Sequence, residues 1–274
     1  MRIQPFQAVY PNTTYITSAE SFFDTVKTDY NEYKESGFFE QASEPSIYIY
    51  RISRAHRDYT GIIACADIRD YVEDKIKKHE HTLAAKEQKQ LQLLLRRNAQ
   101  VKPVLLTYEP VKAIKKWIKR NIKSNEIFYS VDFADEGQIH TFWEVSDAQE
   151  IQKIRTLFAN KVPVSYIADG HHRTSTLAIL NQRMKQEQLA EPYDQLLGAF
   201  FPTTELEVLD FNRVIHGLEE VTLSTFMAKL SQLFEIEIVD KPAKPECKHQ
   251  ILMYVNREWF MLTWRKKILK KVKA

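Results

Sequence analysis

The chain has 274 residues, 44% of them hydrophobic, with thirteen Tyr, fifteen Phe and four Trp, a composition that excludes a predominantly disordered protein because so much apolar surface can be buried. The formal net charge is only +3, and much of the excess sits in the closing run Arg265, Lys266, Lys267, Lys270, Lys271 and Lys273. A sequence-independent nucleic-acid binder, which needs many cations on one face, is therefore disfavoured.

The two cysteines, Cys65 and Cys247, have no short spacing that suggests zinc or a redox pair, and are expected to be reduced. The opening Met1-Arg2-Ile3-Gln4-Pro5-Phe6 lacks the apolar core of a signal peptide, and no stretch is free of charge for the length of a membrane span. A cytoplasmic location with no membrane partner is the expectation.

In chain order, Ser46 to Ser53 and Tyr59 to Ile68 read as strands of a hairpin around Arg54 to Asp58. Helix-favouring residues follow over Arg69 to Lys78 and again over Leu83 to Asn98, where Leu91, Leu94 and Leu95 form a stripe. Val101 to Tyr108 reads as a buried strand. Pro110 then opens a basic amphipathic helix to Lys123, with Val111, Ile114, Trp117 and Ile118 on its apolar side.

Ile127 to Phe133 and Ile139 to Val145 form a second hairpin about Asp135-Glu136-Gly137-Gln138. Ser146 or Asp147 caps a helix bearing Ile151, Ile154, Leu157 and Phe158, and Val162 to Ala168 is a strand leading into a helix from His171 to Gln188. Leu196 to Pro202 and Glu205 to Leu209 read as strands, Leu223 to Phe234 as a helix, and His249 to Val255 and Trp259 to Trp264 as two late strands. The pattern predicts an α/β fold of mixed α+β type, a mixed sheet with flanking helices. No repeat or Pro/Gly-rich linker divides it, so one interlocked domain is expected over residues 1–264, with 1–100 readable as an N-terminal subdomain and 265–274 as a basic tail.

The stretch that carries chemistry is Asp169-Gly170-His171-His172-Arg173-Thr174-Ser175-Thr176, a tight turn between a strand and a helix. The first N–H groups of a helix lack intrahelical partners and its dipole is positive there, so the position favours anions. Cationic and protonatable side chains at that end are unfavourable without a negative guest, and a bound phosphate resolves the conflict. Gly170 lets the backbone approach a ligand, Arg173 offers a planar fork to phosphate oxygens, Ser175 or Thr176 adds a hydroxyl, and Asp169 stands as a magnesium ligand or proton acceptor. The plainer alternative is an ordinary turn in which Asp169 caps the helix and the basic groups meet solvent or other acids. A metal-chelating His171–His172 pair is disfavoured, since adjacent residues diverge around a helix.

Two lesser clusters remain. Lys77-Lys78-His79-Glu80-His81-Thr82 sets a carboxylate between two histidines; if extended, His79 and His81 share one face and Glu80 takes the other. Asn212-Arg213-Val214-Ile215-His216 is a third basic segment that reads either as a site lining or as ordinary surface.

The motif YIADGHHRTSTLA resembles that of the family called domain of unknown function 1015, which also carries a start like Arg2-Ile3-Gln4-Pro5-Phe6 and a His-Glu-x-Thr segment like His79-Glu80-His81-Thr82. The same turn is similar to the phosphate-binding motif of the ParB and sulfiredoxin superfamily, which includes nucleotide-binding segregation proteins and free-serine kinases. That resemblance implies a ParB/sulfiredoxin-like core around the turn, phosphate-site roles for Asp169, His171, His172 and Arg173, and an acidic catalytic role for Glu80. A histidine stands where sulfiredoxins carry cysteine, so sulfur chemistry is not implied.

Together these residues lead to the expectation of a magnesium-dependent phosphotransferase acting on a hydroxylated metabolite with ATP or ADP. Gly170, His171, His172, Arg173 and Ser175 would bind nucleotide, Asp169 or Glu80 would hold Mg2+ or activate the hydroxyl, and His172 would join Asp169 and Glu80 in catalysis. The alternatives are a nucleotide-binding regulator that turns nothing over and, less favoured, a ParB-like DNA-associated protein.

Overall fold

The structure, a computed structural model, describes residues 1–12, 30–80, 84–188, 193–217 and 220–272. The chain falls into two compact units, Met1–Val208 and Leu209–Ala274. The sequence carried one unit to residue 264, because nothing in local composition marks the boundary.

The first unit has β1 (Ile3–Gln4), a ribbon of β2 (Val9–Pro11) and β3 (Phe39–Gln41), then β4 (Ile47–Arg54), β5 (Arg57–Asp67), α1 (Arg69–Val72), β6 (Ile76–Lys77), α2 (Ala84–Arg97), β7 (Val104–Tyr108) and α3 (Lys112–Ser124). It continues with β8 (Tyr129–Phe133), β9 (Gln138–Val145), α4 (Ala148–Lys161), β10 (Ser165–Asp169), α5 (His171–Gln186) and β11 (Gln195–Pro202). Nine strands form one mixed sheet in the order β6-β10-β7-β11-β5-β4-β9-β8, with β1 paired to the far end of β5. The pairs β6/β10 and β7/β11 are parallel and the other pairs antiparallel. This is the mixed α/β class expected.

Local chemistry explains the elements. In β7 the alternate residues Val104, Leu106 and Tyr108 are buried, the period of two that a pleated strand imposes. In α3 the buried residues Ile114, Trp117, Ile118 and Asn121 recur at helical spacing, and Asn121 donates to the Trp117 carbonyl and the Glu150 carboxylate, joining α3 to α4. Asp147 rather than Ser146 caps α4, accepting from the Glu150 N–H at 2.8 Å. Ile49, Ile62, Leu106, Ile154, Phe158 and Phe200 are fully buried at the centre of the core.

Two expectations are corrected. The helix read over Arg69 to Lys78 stops at Val72; Asp74 then takes φ 59°, Ile76 is buried and the chain enters β6. Charged neighbours hide so short a strand. Glu205 to Leu209 is not a strand: a 3-10 turn spans Thr203–Glu205 and irregular chain follows. The basic amphipathic helix read from Pro110 is α3, which exposes Lys112, Lys115, Lys116, Lys119, Arg120 and Lys123.

In the second unit α6 (Leu223–Leu233) precedes an antiparallel sheet of β12 (Phe234–Val239), β13 (Gln250–Val255) and β14 (Glu258–Trp264), followed by α7 (Lys266–Val272). Phe234, Phe260 and Leu262 form its core with Met227 and Leu230 of α6. Asn256 and Arg257 both have positive φ, which suits the twist of a two-residue hairpin. The sequence reading ended the preceding helix at Phe234 and assigned no element to β12, in which Glu235 and Glu237 alternate with Ile236 and Ile238. Among the described residues no helix is long and apolar enough to cross a membrane.

Candidate functional site

The turn after β10 is built as the sequence suggests, with its groups differently engaged. Gly170 adopts φ +107° and ψ 27°, and a Cβ there would lie 3.0 Å from both Arg173 Nη2 and Val104 Cγ2. A side chain at that position meets strain and crowding together. α5 begins at once, with no acidic residue in its first turn and no side-chain cap. Asp169 does not cap it; its Oδ2 instead accepts from Arg173 Nη2 at 2.5 Å.

Arg173 is a clamp. Its Nη1 donates to the carbonyls of Lys102 and Pro103, both at 2.7 Å, so the guanidinium ties the approach to β7 and the Asp169 carboxylate to the start of α5. Burial pulls its pKa below the ordinary value while Asp169 opposes that shift. The expectation that this fork grips a phosphate gives way to a positioning role. Ser175 is likewise engaged by the protein: it is buried and its hydroxyl donates to the Glu87 carboxylate of α2, so it ties two helices.

The second motif comes to the same place through β6. Its parallel register on β10 aligns Ile76 with Ser165 and Lys77 with Tyr166, so the chain leaves β6 beside the end of β10. His79 and Glu80 thereby land against His171. The His79 ring meets that of His171 edge-on at 4.4 Å between centroids, the His79 N–H donates to His171 Nε2 at 3.4 Å, and Glu80 Oε2 lies 3.7 Å from His171 Nδ1. His79 and Glu80 therefore reach one imidazole instead of opposite faces. His81 and Thr82 lie outside the described residues.

This geometry assigns the tautomer. With Nε2 accepting from the backbone, a neutral His171 carries its proton on Nδ1, facing Glu80. Burial lowers the His171 pKa, helped by His79, against the pull of Glu80 and Asp169. Burial thus favours the neutral ring, whose Nδ1 faces, at 3.7 Å and without a hydrogen bond, a carboxylate that is itself 61% exposed. Asp169 is 63% exposed on the other side of the turn. His172 Nδ1 is buried with no hydrogen-bond partner among the described residues.

A family model described as Protein of unknown function (DUF1015) matches residues 8–274. The chain belongs to that family. No curated protein and no solved structure matches it. In this DUF1015 chain the end of the sheet joins two solvent-facing carboxylates, Glu80 and Asp169, to three histidines and an uncapped helix start. Among the described residues no group of three His, Cys, Asp or Glu side chains is disposed to hold a metal ion. A depression along α4, lined by Ala148, Gln152, Lys153 and Thr156 among others, shares none of these residues.

The third basic segment belongs to the second unit, where Arg213 stacks over the Phe211 ring at 3.9 Å. Sequence reasoning missed the Lys102 and Pro103 carbonyls and Glu87. Carbonyls carry no residue signature, and Glu87 reads as ordinary helix surface.

Proposed function

We propose that this DUF1015 protein binds a nucleotide or phosphorylated metabolite at the start of α5 and transfers a phosphoryl group to a hydroxylated small molecule. The observation that carries the reading is the convergence of Glu80, held against His171 by β6, with a helix N-terminus that has neither cap nor acid. By helix geometry the N–H groups of His171, His172 and Arg173 lack intrahelical acceptors and are available to phosphate oxygens. The likeness of the turn to the ParB/sulfiredoxin phosphate motif supports the same assignment.

In this reading Glu80 takes the proton of the attacking hydroxyl as its oxygen bonds to phosphorus and the bond to the leaving phosphate breaks. His171 lies beside Glu80, its Nδ1 3.7 Å from the carboxylate, and a small closure on ligand binding would let it orient Glu80. His172 contributes to the anion site, and Arg173 fixes the turn from behind. Asp169 fits a magnesium ion held mainly by phosphates and water: it is exposed, keeps one oxygen on Arg173, and this ion commonly takes only one or two carboxylates. Bound magnesium would neutralise charge on the transferred group.

The test is calorimetry with ATP and ADP, with and without magnesium, followed by transfer assays on amino acids and sugars. Glu80→Gln should retain nucleotide binding and lose about 10²–10⁴-fold in turnover. Tight binding without product from any acceptor would assign a regulator. No nucleotide or sugar phosphate bound at millimolar concentration would overturn the anion site itself.

A further inference from the structure

We propose that the outer face of α3 docks the phosphate backbone of duplex DNA, a second interaction surface on a different helix from the proposed phosphate site. Lys112, Lys115, Lys116, Lys119, Arg120 and Lys123 are all exposed, while Ile114, Trp117, Ile118 and Asn121 turn into the core. The buried face fixes the helix, so the lysines cannot rotate away. Lys112, Lys116, Lys119 and Lys123 stand at i, i+4, i+7 and i+11, one file about 16 Å long at 1.5 Å rise per residue.

The file is arranged against its own electrostatics. α3 contains no acidic residue, and among the described residues Arg120 alone of the six has an acid at ion-pair distance, Glu150. Like charges face each other at i+3 and i+4 along its length, and Lys112 and Lys115 stand where the helix dipole is already positive. A polyanion relieves both conflicts. Duplex DNA carries about one charge per 1.7 Å of axis, so its backbone can neutralise every member of the file at once.

The composition of the face selects this partner over other anionic surfaces. Its apolar side chains are packed into the core, leaving nothing to insert below lipid headgroups. Trp117 is buried, so no aromatic of this helix is free to stack on single-stranded bases. Lysine contacts with phosphates position a duplex without reading its sequence.

The experiment is fluorescence anisotropy of the full chain with a 20-base-pair DNA duplex over a salt series. The expected log–log slope is about −3 to −4, near −0.9 per phosphate contact for four lysines. Changing Lys112, Lys116, Lys119 and Lys123 together to Gln should remove most of that slope and weaken low-salt binding more than tenfold, while Lys266, Lys267 and Lys270 changed to Gln retain it. Thermal melting of the α3 variant should stay at or above that of the unaltered chain, since repulsion is removed. Equal binding by the α3 variant, loss of binding only in the α7 variant, or attachment to anionic vesicles but not to duplex would each overturn the proposal.

Discussion

At the scale of single residues, the turn at Asp169–Arg173 shows how one composition serves two purposes. The electrostatic conflict of cations at a helix N-terminus is met in part by the protein: Arg173 is taken up by two carbonyls and Asp169, and burial holds His171 neutral. In the proposed reading, the backbone N–H groups of the first turn, with His172 beside them, take the anion. His171, and His140 on β9, both have pKa values lowered by burial. The unfolded chain therefore binds protons first on acidification, and stability falls as the pH drops below about 6.5, the unfolded histidine value, levelling off below the depressed folded values. Thermal melting between pH 7.5 and 5 should show this decline, and His140→Gln should make it shallower. A stability that rose on acidification over that window would mean that these rings gain protons on folding.

At the scale of elements, β6 decides whether the site exists. Its two residues hold the Lys78–Glu80 segment beside β10, and Ile76, 1% exposed, is what anchors it. Ile76→Ala should cost about 2–4 kcal/mol in urea unfolding, from the lost burial and the cavity left behind. The same change should let His79 and Glu80 swing away. A histidine titration followed by NMR would then show the His171 pKa rising toward the ordinary value as desolvation eases. An unmoved His171 in a destabilised variant would mean that the segment is held by something other than β6. The hairpins and long helices were legible because their apolar periods are long enough to stand out. β6 was not, because one buried isoleucine between lysines has no period.

For the whole molecule, the division at Val208/Leu209 leaves irregular, exposed chain from Leu209 to Gly217, with Phe211 and Val214 nearly 80% exposed. Extended exposed backbone fits a protease cleft far better than strands paired into a sheet. Brief trypsin treatment should cut first after Arg213, giving two fragments by mass spectrometry; first cuts within β4–β5 or α5 would argue against this boundary. The boundary was invisible in the sequence because the segment is as rich in Val, Leu, Ile and Phe as a strand. Its lack of pairing partners among the described residues distinguishes it from a strand.

The sequence alone determined the mixed α/β class, most long elements, and the Asp169–Arg173 turn, since each rests on local chemistry: hydrophobic period, capping, a glycine that a positive φ demands. Tertiary structure decided which of those residues meet. Glu80 and His171 are brought together by a parallel strand pair, Arg173 is claimed by carbonyls from another loop, and Ser175 by Glu87. Such partners are set by how the whole sheet closes, and a carbonyl or a distant carboxylate leaves no mark on the residues that will touch it.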